Sequence, residues 1–303
     1  MKPITKLLPV ILLILIHVSC DTTTTIDLPK RPQHLVLNCI TQDSTYNRNL
    51  FSWVVSLSLS KGILESIPFD PVSNAVIAIY ENNKLLVVPI ESPFNKGSYY
   101  FQNSYPTPGK SYRIEATAPP YGTVSASFIQ PMPVMTDALE IKILGTNPVY
   151  EYSRDVQFRV FLTDPAGENY YAISIKRKTE NSPFPGGAAG LNLAFIDPAY
   201  QEYNTPYTST LIFKDTYFDG QKTYLDFKSI ISDYPDDPPL NFYSVTLNNL
   251  TKEHYDYLKT AYIQASTRND PFAQPIQVVN NIKNGYGIFT GFTQTVKTIE
   301  FAN

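Results

Sequence analysis

Histidine is nearly missing from this chain, with three in 303 residues: His17, His34 and His254. Nucleophilic catalysis needs a base beside the nucleophile. No serine here sits in a nucleophile-elbow pattern, and Cys39 has no histidine close in sequence. Zinc is equally ill served, because its ligand types are few and far apart. These absences argue against an enzyme and assign no catalytic residue and no cofactor. A hydrolase is the catalytic option left, since the carboxylate separation that glycoside hydrolysis needs is a property of three dimensions. Cysteine is limited to Cys20 and Cys39, tryptophan to Trp53, and glycine (13) is outnumbered by proline (25). The apolar run Leu7–Val18 is twelve residues, whereas a bilayer-spanning helix needs about 20. Positive charge is in deficit as well. Without residues 1–19 the chain keeps 22 basic against 27 acidic side chains, a balance with no general attraction for nucleic acid or anionic lipid.

What is present begins with an export leader. Lys2 and Lys6 precede the apolar run, and small Ser19 stands before Cys20, the order of parts of a secretory signal. A cysteine directly after the small residue resembles the bacterial lipoprotein pattern, in which residues 1–19 are cleaved and Cys20 carries the lipid. His17 stands where that pattern usually has an aliphatic residue. Cys39 is then a lone thiol, and its alternation with Leu35 and Leu37 points to a buried strand position. A Cys20–Cys39 disulfide is the alternative if Cys20 is not lipidated. Residues 20–32, with Thr22–Thr25, Pro29 and Pro32, have too little apolar surface to fold and read as a tether.

Abundant Tyr, Val, Ile and Thr with frequent proline favours strands. Over 33–131 the apolar residues alternate in short runs, among them Val55/Leu57/Leu59, Val76–Tyr80, Tyr112/Ile114/Ala116 and Val124–Phe128. Six or seven short strands separated by turn-formers predict an immunoglobulin-like or fibronectin-like sandwich. Pro131-Met132-Pro133 breaks the pattern and marks a domain boundary. The segment 132–303 reads as a larger β domain, with strands around Leu139, Val156, Tyr171, Leu211, Tyr224, Phe242 and Val296. One helix is expected near 252–266, capped by Thr251, with Tyr255, Leu258, Tyr262 and Ala265 as its packing stripe and His254 in an exposed-looking first turn. The fold class expected is therefore mainly β, in tandem sandwich domains.

The C-terminal order Tyr255-Asp256-Tyr257-Leu258, then Asn269-Asp270-Pro271-Phe272-Ala273, then Asn280-Asn281 through Gly285-Tyr286-Gly287-Ile288-Phe289 resembles the domain of unknown function 4249 family, predicted lipoproteins of Bacteroidetes. Asp215-Thr216-Tyr217-Phe218-Asp219-Gly220 also looks like a family segment. The resemblance implies an outer-membrane lipoprotein encoded beside TonB-dependent receptors, serving as an accessory or ligand-binding subunit of nutrient uptake. It brings no catalytic residues.

Two patterns are left as site candidates. Residues 179–207 form a long aperiodic stretch in which Phe184, Phe195, Tyr200, Tyr203 and Tyr207 are interleaved with proline and glycine. Such rings either present a ligand or partner surface or fold back to cap the core. Asp215 with Asp219 offers oxygens to calcium, as do Asp233 and Asp236-Asp237, without the spacing of a known calcium loop; no metal is assigned. Asn281, Gly285 and Gly287 read as a structural turn motif, needing positive φ or a close backbone approach. The expected partners are the membrane, through the lipid on Cys20, and a TonB-dependent receptor, with no nucleic acid. The alternative is a structural or adhesive envelope lipoprotein without a solute ligand.

Overall fold

Strand alternation decides which side chains meet in this protein, and one wide sheet collects most of them. The computed structural model describes residues 32–43, 51–62, 69–179, 189–200, 209–232, 240–267, 270, 272–274 and 276–302. The leader, Cys20, Phe184, Tyr203 and Tyr207 lie outside the described residues. Of the described residues most are β, with one α-helix.

The wide sheet has nine strands. Its order is β12 (Ala189–Gly190), β11 (Tyr170–Thr179), β16 (Leu240–Leu250), β17 (Tyr286–Ala302), β1 (Leu35–Gln42), β2 (Phe51–Leu59), β6 (Ser98–Gln102) and β5 (Ile90–Glu91), with β14 (Leu211–Lys214) also on β11. β1 runs parallel to β17, with Val36 opposite Tyr286 and Gln42 opposite Phe292. The ladder therefore continues from the first stretch of chain into the last, across the Pro131–Pro133 break.

Two smaller sheets supply the facing layers. One is β4 (Lys84–Val87), β3 (Val76–Glu81), β7 (Ser111–Ala118) and β8 (Gly122–Ile129). With β1, β2 and β6 it encloses a core of Leu37, Trp53, Tyr99, Ile114 and Phe128, to which distant Ile282 and Phe289 also belong. Trp53 is fully buried, 5.4 Å from the Tyr112 ring and 6.3 Å from Phe289. Cys39 is buried, and loss of solvent pushes its thiol up to about 12. The other small sheet is β13 (Ala194–Phe195), β15 (Lys222–Ser232), β10 (Ser153–Thr163) and β9 (Thr136–Thr146). With β11 and β16 it encloses Phe158, Tyr171, Phe213, Phe227 and Tyr243.

β11 is buried on both faces. Tyr171, Ile173 and Ile175 enter the second core, while Tyr170 and Ala172 pack with Ile212, Leu250 and Tyr255 under helix α1 (Lys252–Thr267). The helix starts where Thr251 caps it, its Oγ1 accepting from the His254 N–H at 3.1 Å. Of the apolar stripe, Tyr255 is buried, Leu258 and Tyr262 are half-buried and Ala265 is exposed. His254 corrects the exposed-looking expectation: it is 5% exposed, because the first turn of α1 lies against Phe292 of β17. The sequence pattern does not announce β5 or β6, although Tyr99 of β6 is a core residue.

The Pro131–Val134 linker is sewn to the wide sheet by side chains. Met132 O accepts from Asn249 Nδ2 at 2.8 Å and Thr293 Oγ1 at 3.2 Å, and Val134 O accepts from Thr295 Oγ1 at 2.7 Å. Prolines cannot donate to a ladder, so side-chain donors from β16 and β17 satisfy the carbonyls instead.

Candidate functional site

An open cleft of about 860 Å³ lies where the ends of the two cores meet. That volume is within the usual range of about 300–1,000 Å³ for small-ligand sites. One wall is formed by the ends of β7 and β8 with Pro131 and Met132, the other by the β10–β11 loop and the junction of β16 with α1. Its lining combines the rings of Tyr112, Phe128 and Tyr170 with polar Ser127, Asn169 and Lys252. Burial pushes the Tyr112 hydroxyl up to about 12, and Tyr170 is raised by burial and then by the Glu168 carboxylate that its hydroxyl faces. Both phenols are therefore neutral at physiological pH. The Thr107 N–H donates to the Tyr112 hydroxyl at 2.8 Å, and that hydroxyl donates to Glu81 at 2.8 Å. Of the charged lining residues Arg113, Glu168, Lys252 and Glu253, three are paired with residues outside the lining: Lys252 with Asp256, Arg113 with Glu115, and Glu168 with Lys214 at 3.7 Å. No histidine or cysteine is among its lining residues. The chemistry this arrangement supplies is hydrogen bonding and orientation.

The loop that forms one wall of the cleft also carries a carboxylate cluster. Oxygens of Asp164, Asp215 and Asp219 lie within 4.8 Å of one another. Asp164 accepts from the Tyr171 hydroxyl and, at 2.8 Å, from the Gly220 N–H. Asp215 accepts from the Asn169 N–H at 2.8 Å, and Asp219 from the Gly167 N–H at 2.7 Å. Burial raises the Asp164 carboxyl above the usual carboxylate range, with the charges of Asp215 and Asp219 acting the same way. The three oxygens suit a hard cation by type. Their hydrogen bonds, however, already serve to clasp the 164–169 turn to the 215–220 turn. The sequence marks Asp215 and Asp219 and not Asp164, because Asp164-Pro165-Ala166-Gly167 reads simply as a turn. Only the pairing of Thr163 with Lys222 and of Tyr170 with Lys214 brings the two turns face to face.

The two described members of the aromatic loop take different places. Phe195 is buried in the second core, 5.4 Å from Phe213 and 4.7 Å from Phe227. Tyr200 is half-buried at the margin, 5.8 Å from Phe195 and edge-on to exposed Tyr217 at 5.3 Å. Asn281 holds the Phe289 backbone at both ends, donating to its carbonyl at 2.8 Å and accepting from its N–H at 2.9 Å. Gly285 precedes β17 and Gly287 lies inside it. Gly287 has φ +113° beside β1, and a Cβ there would stand 2.0 Å from Leu37 O, so neither the backbone nor the space admits a side chain.

Residues 21–298 match a family described as domain of unknown function (DUF4249). No curated protein matches the sequence. Similar solved structures include trypsin-activated alpha-2-macroglobulin from Escherichia coli, at 12% identity and TM-score 0.22, covering 73% of this chain. Another is the major pilin subunit of Bacillus cereus, at 11% identity and TM-score 0.18, covering 72% of this chain. The chain spans 15% of the first protein and 65% of the second. TM-scores this low carry no argument.

Proposed function

The chain belongs to the domain of unknown function 4249 family, and from that premise we propose that it is a lipid-anchored binding or accessory protein of the outer membrane, working beside a TonB-dependent receptor in nutrient uptake. The observation that carries the reading is the junction at Cys20. The family match starts at residue 21, directly after the Ser19-Cys20 step that ends a basic and then apolar leader. A lipid on Cys20 places the protein on a membrane, and a single acyl chain gives only marginal anchoring, so more than one is required. The tether of residues 21–32 then gives the folded body a reach of up to about 40 Å. Recognition is assigned to the open cleft, whose lining has hydrogen-bonding and apolar groups and no histidine or cysteine.

The test is a mild-detergent pull-down of the natively expressed, tagged protein beside a Cys20→Ala control, with radiolabelled palmitate incorporation followed in both. Label on the wild type alone, with a TonB-dependent receptor recovered in near-equal amount, is the expected result. Recovery of labelled protein with no receptor would transfer the reading to a free-standing structural or adhesive lipoprotein. Absence of label would remove the anchor.

A further inference from the structure

The outer face of the β9–β10–β15 sheet, turned away from the second core, carries an ordered pattern that the cleft does not use. Val156, Phe158, Val160 and Leu162 of β10 are buried, so Gln157, Arg159 and Phe161 point outward. On β15, Leu225 and Phe227 are buried, and Tyr224, Asp226 and Lys228 face the same way. The register sets Phe161 opposite Tyr224, Arg159 opposite Asp226 and Gln157 opposite Lys228. The Phe161 and Tyr224 rings are 5.9 Å apart, and the Arg159 guanidinium lies 4.1 Å from the Tyr224 ring centroid. Arg159 grips Asp226 in a fork, Nε to Oδ1 and Nη2 to Oδ2, both at 2.8 Å. Tyr224 is nonetheless 50% exposed, and Tyr217, on the adjoining turn, is 59% exposed.

We propose that this face binds a neutral saccharide chain. With the Arg159 guanidinium over one face of its ring, the half-exposed Tyr224 phenol offers the surface it has left to the C–H side of a pyranose, and on a rigid strand it loses little side-chain entropy in doing so. The guanidinium–carboxylate fork is held in fixed position and leaves the Nη1 donors of Arg159 and the second lone pairs of the Asp226 oxygens for neighbouring hydroxyls. Charge selects the occupant. Arg159 is compensated by Asp226 and faces Glu140 across β9, while Lys142 and Lys228 flank Gln157, so the two signs are interspersed. A charged polymer gains little on such a surface, and a hydroxyl-rich neutral one meets polar groups already aligned. Same-face residues recur about every 6.7 Å along a strand, so the three pairs extend over about 13 Å, the length of two or three sugar rings. The proposal does not depend on the anchor or the receptor.

The test uses the full chain in detergent on an array of neutral and charged oligosaccharides, followed by affinity electrophoresis in the best neutral polysaccharide. Retardation by a neutral glycan is expected, weakened at least tenfold by Tyr224→Ala, kept within about threefold by Tyr224→Phe, and unchanged by Lys96→Ala in the exposed β5–β6 turn. Circular dichroism confirms that each variant is folded. Silence across the neutral glycans, binding indifferent to Tyr224→Ala, or binding confined to acidic glycans and abolished by salt would each overturn the proposal. If instead Tyr224→Ala releases a co-purifying protein and no glycan binds, the face is a protein interface and the saccharide reading is wrong.

Discussion

His254 lies in the first turn of α1 with its ring 5.7 Å from Phe292, and its Nδ1 is buried with no hydrogen-bond partner among the described residues. Burial alone depresses it from an ordinary value of 6.5 to about 4. A histidine depressed on folding contributes stability that is intact above its unfolded value and lost as pH falls through its folded one. The window therefore runs from about pH 6.5 down to about 4, and the full effect is on the order of 3 kcal/mol. Replacing His254 with Leu keeps an apolar side chain of similar size and removes the titration. Thermal melts across this window should show a flatter midpoint-against-pH curve for His254→Leu than for wild type. Parallel curves would mean that water reaches the ring. Nothing in the local sequence Thr251-Lys252-Glu253-His254 announces the burial, since three polar residues precede the histidine. Packing of the helix start on β17 decides it.

At the scale of elements, the two turns that carry Asp164 and Asp215/Asp219 present a choice between a cation site and a clasp. Every one of the three carboxylates receives a backbone N–H from the facing turn, and Asp164 also receives the Tyr171 hydroxyl. Hydrogen bonds to charged groups contribute roughly 1.5–3 kcal/mol each, so the clasp holds without an ion. The melting midpoint in excess calcium is accordingly expected to equal that in excess EDTA to within about 1 °C. A calcium-dependent rise of several degrees that disappears in Asp215→Asn would assign the cluster to the cation. The strands that end in these turns were legible from period two. The approach of one turn to the other was not, because it depends on β10 pairing with β15 and β11 with β14, contacts between residues about 40 to 80 positions apart.

Across the whole molecule, β17 is the strand both cores depend on. It pairs with β16 on one side and with β1 on the other, and it sends Phe289 into the first core, against Trp53 and Phe128. A fragment of residues 21–131 therefore loses the neighbour of β1 along with Phe289 and Ile282. Removing one buried Phe typically costs about 3–5 kcal/mol, against a total of about 5–15 for a domain. The fragment is expected to lack near-ultraviolet circular dichroism, and the full chain to melt in one transition. A folded fragment with dispersed amide resonances, or two separated melting transitions, would show that each core is self-sufficient. Sequence alone determined the β class, the helix start at Thr251 and the family resemblance, because these rest on composition, local periodicity and short motifs. The tertiary structure decided the parallel union of β1 with β17, the burial of His254, the meeting of Asp164 with Asp215, the burial of Phe195 beside a half-buried Tyr200 and the outward row headed by Tyr224. Alternation tells which residues share a face of a strand. It carries no information about which strand, 250 residues away in the case of β1 and β17, lies beside it.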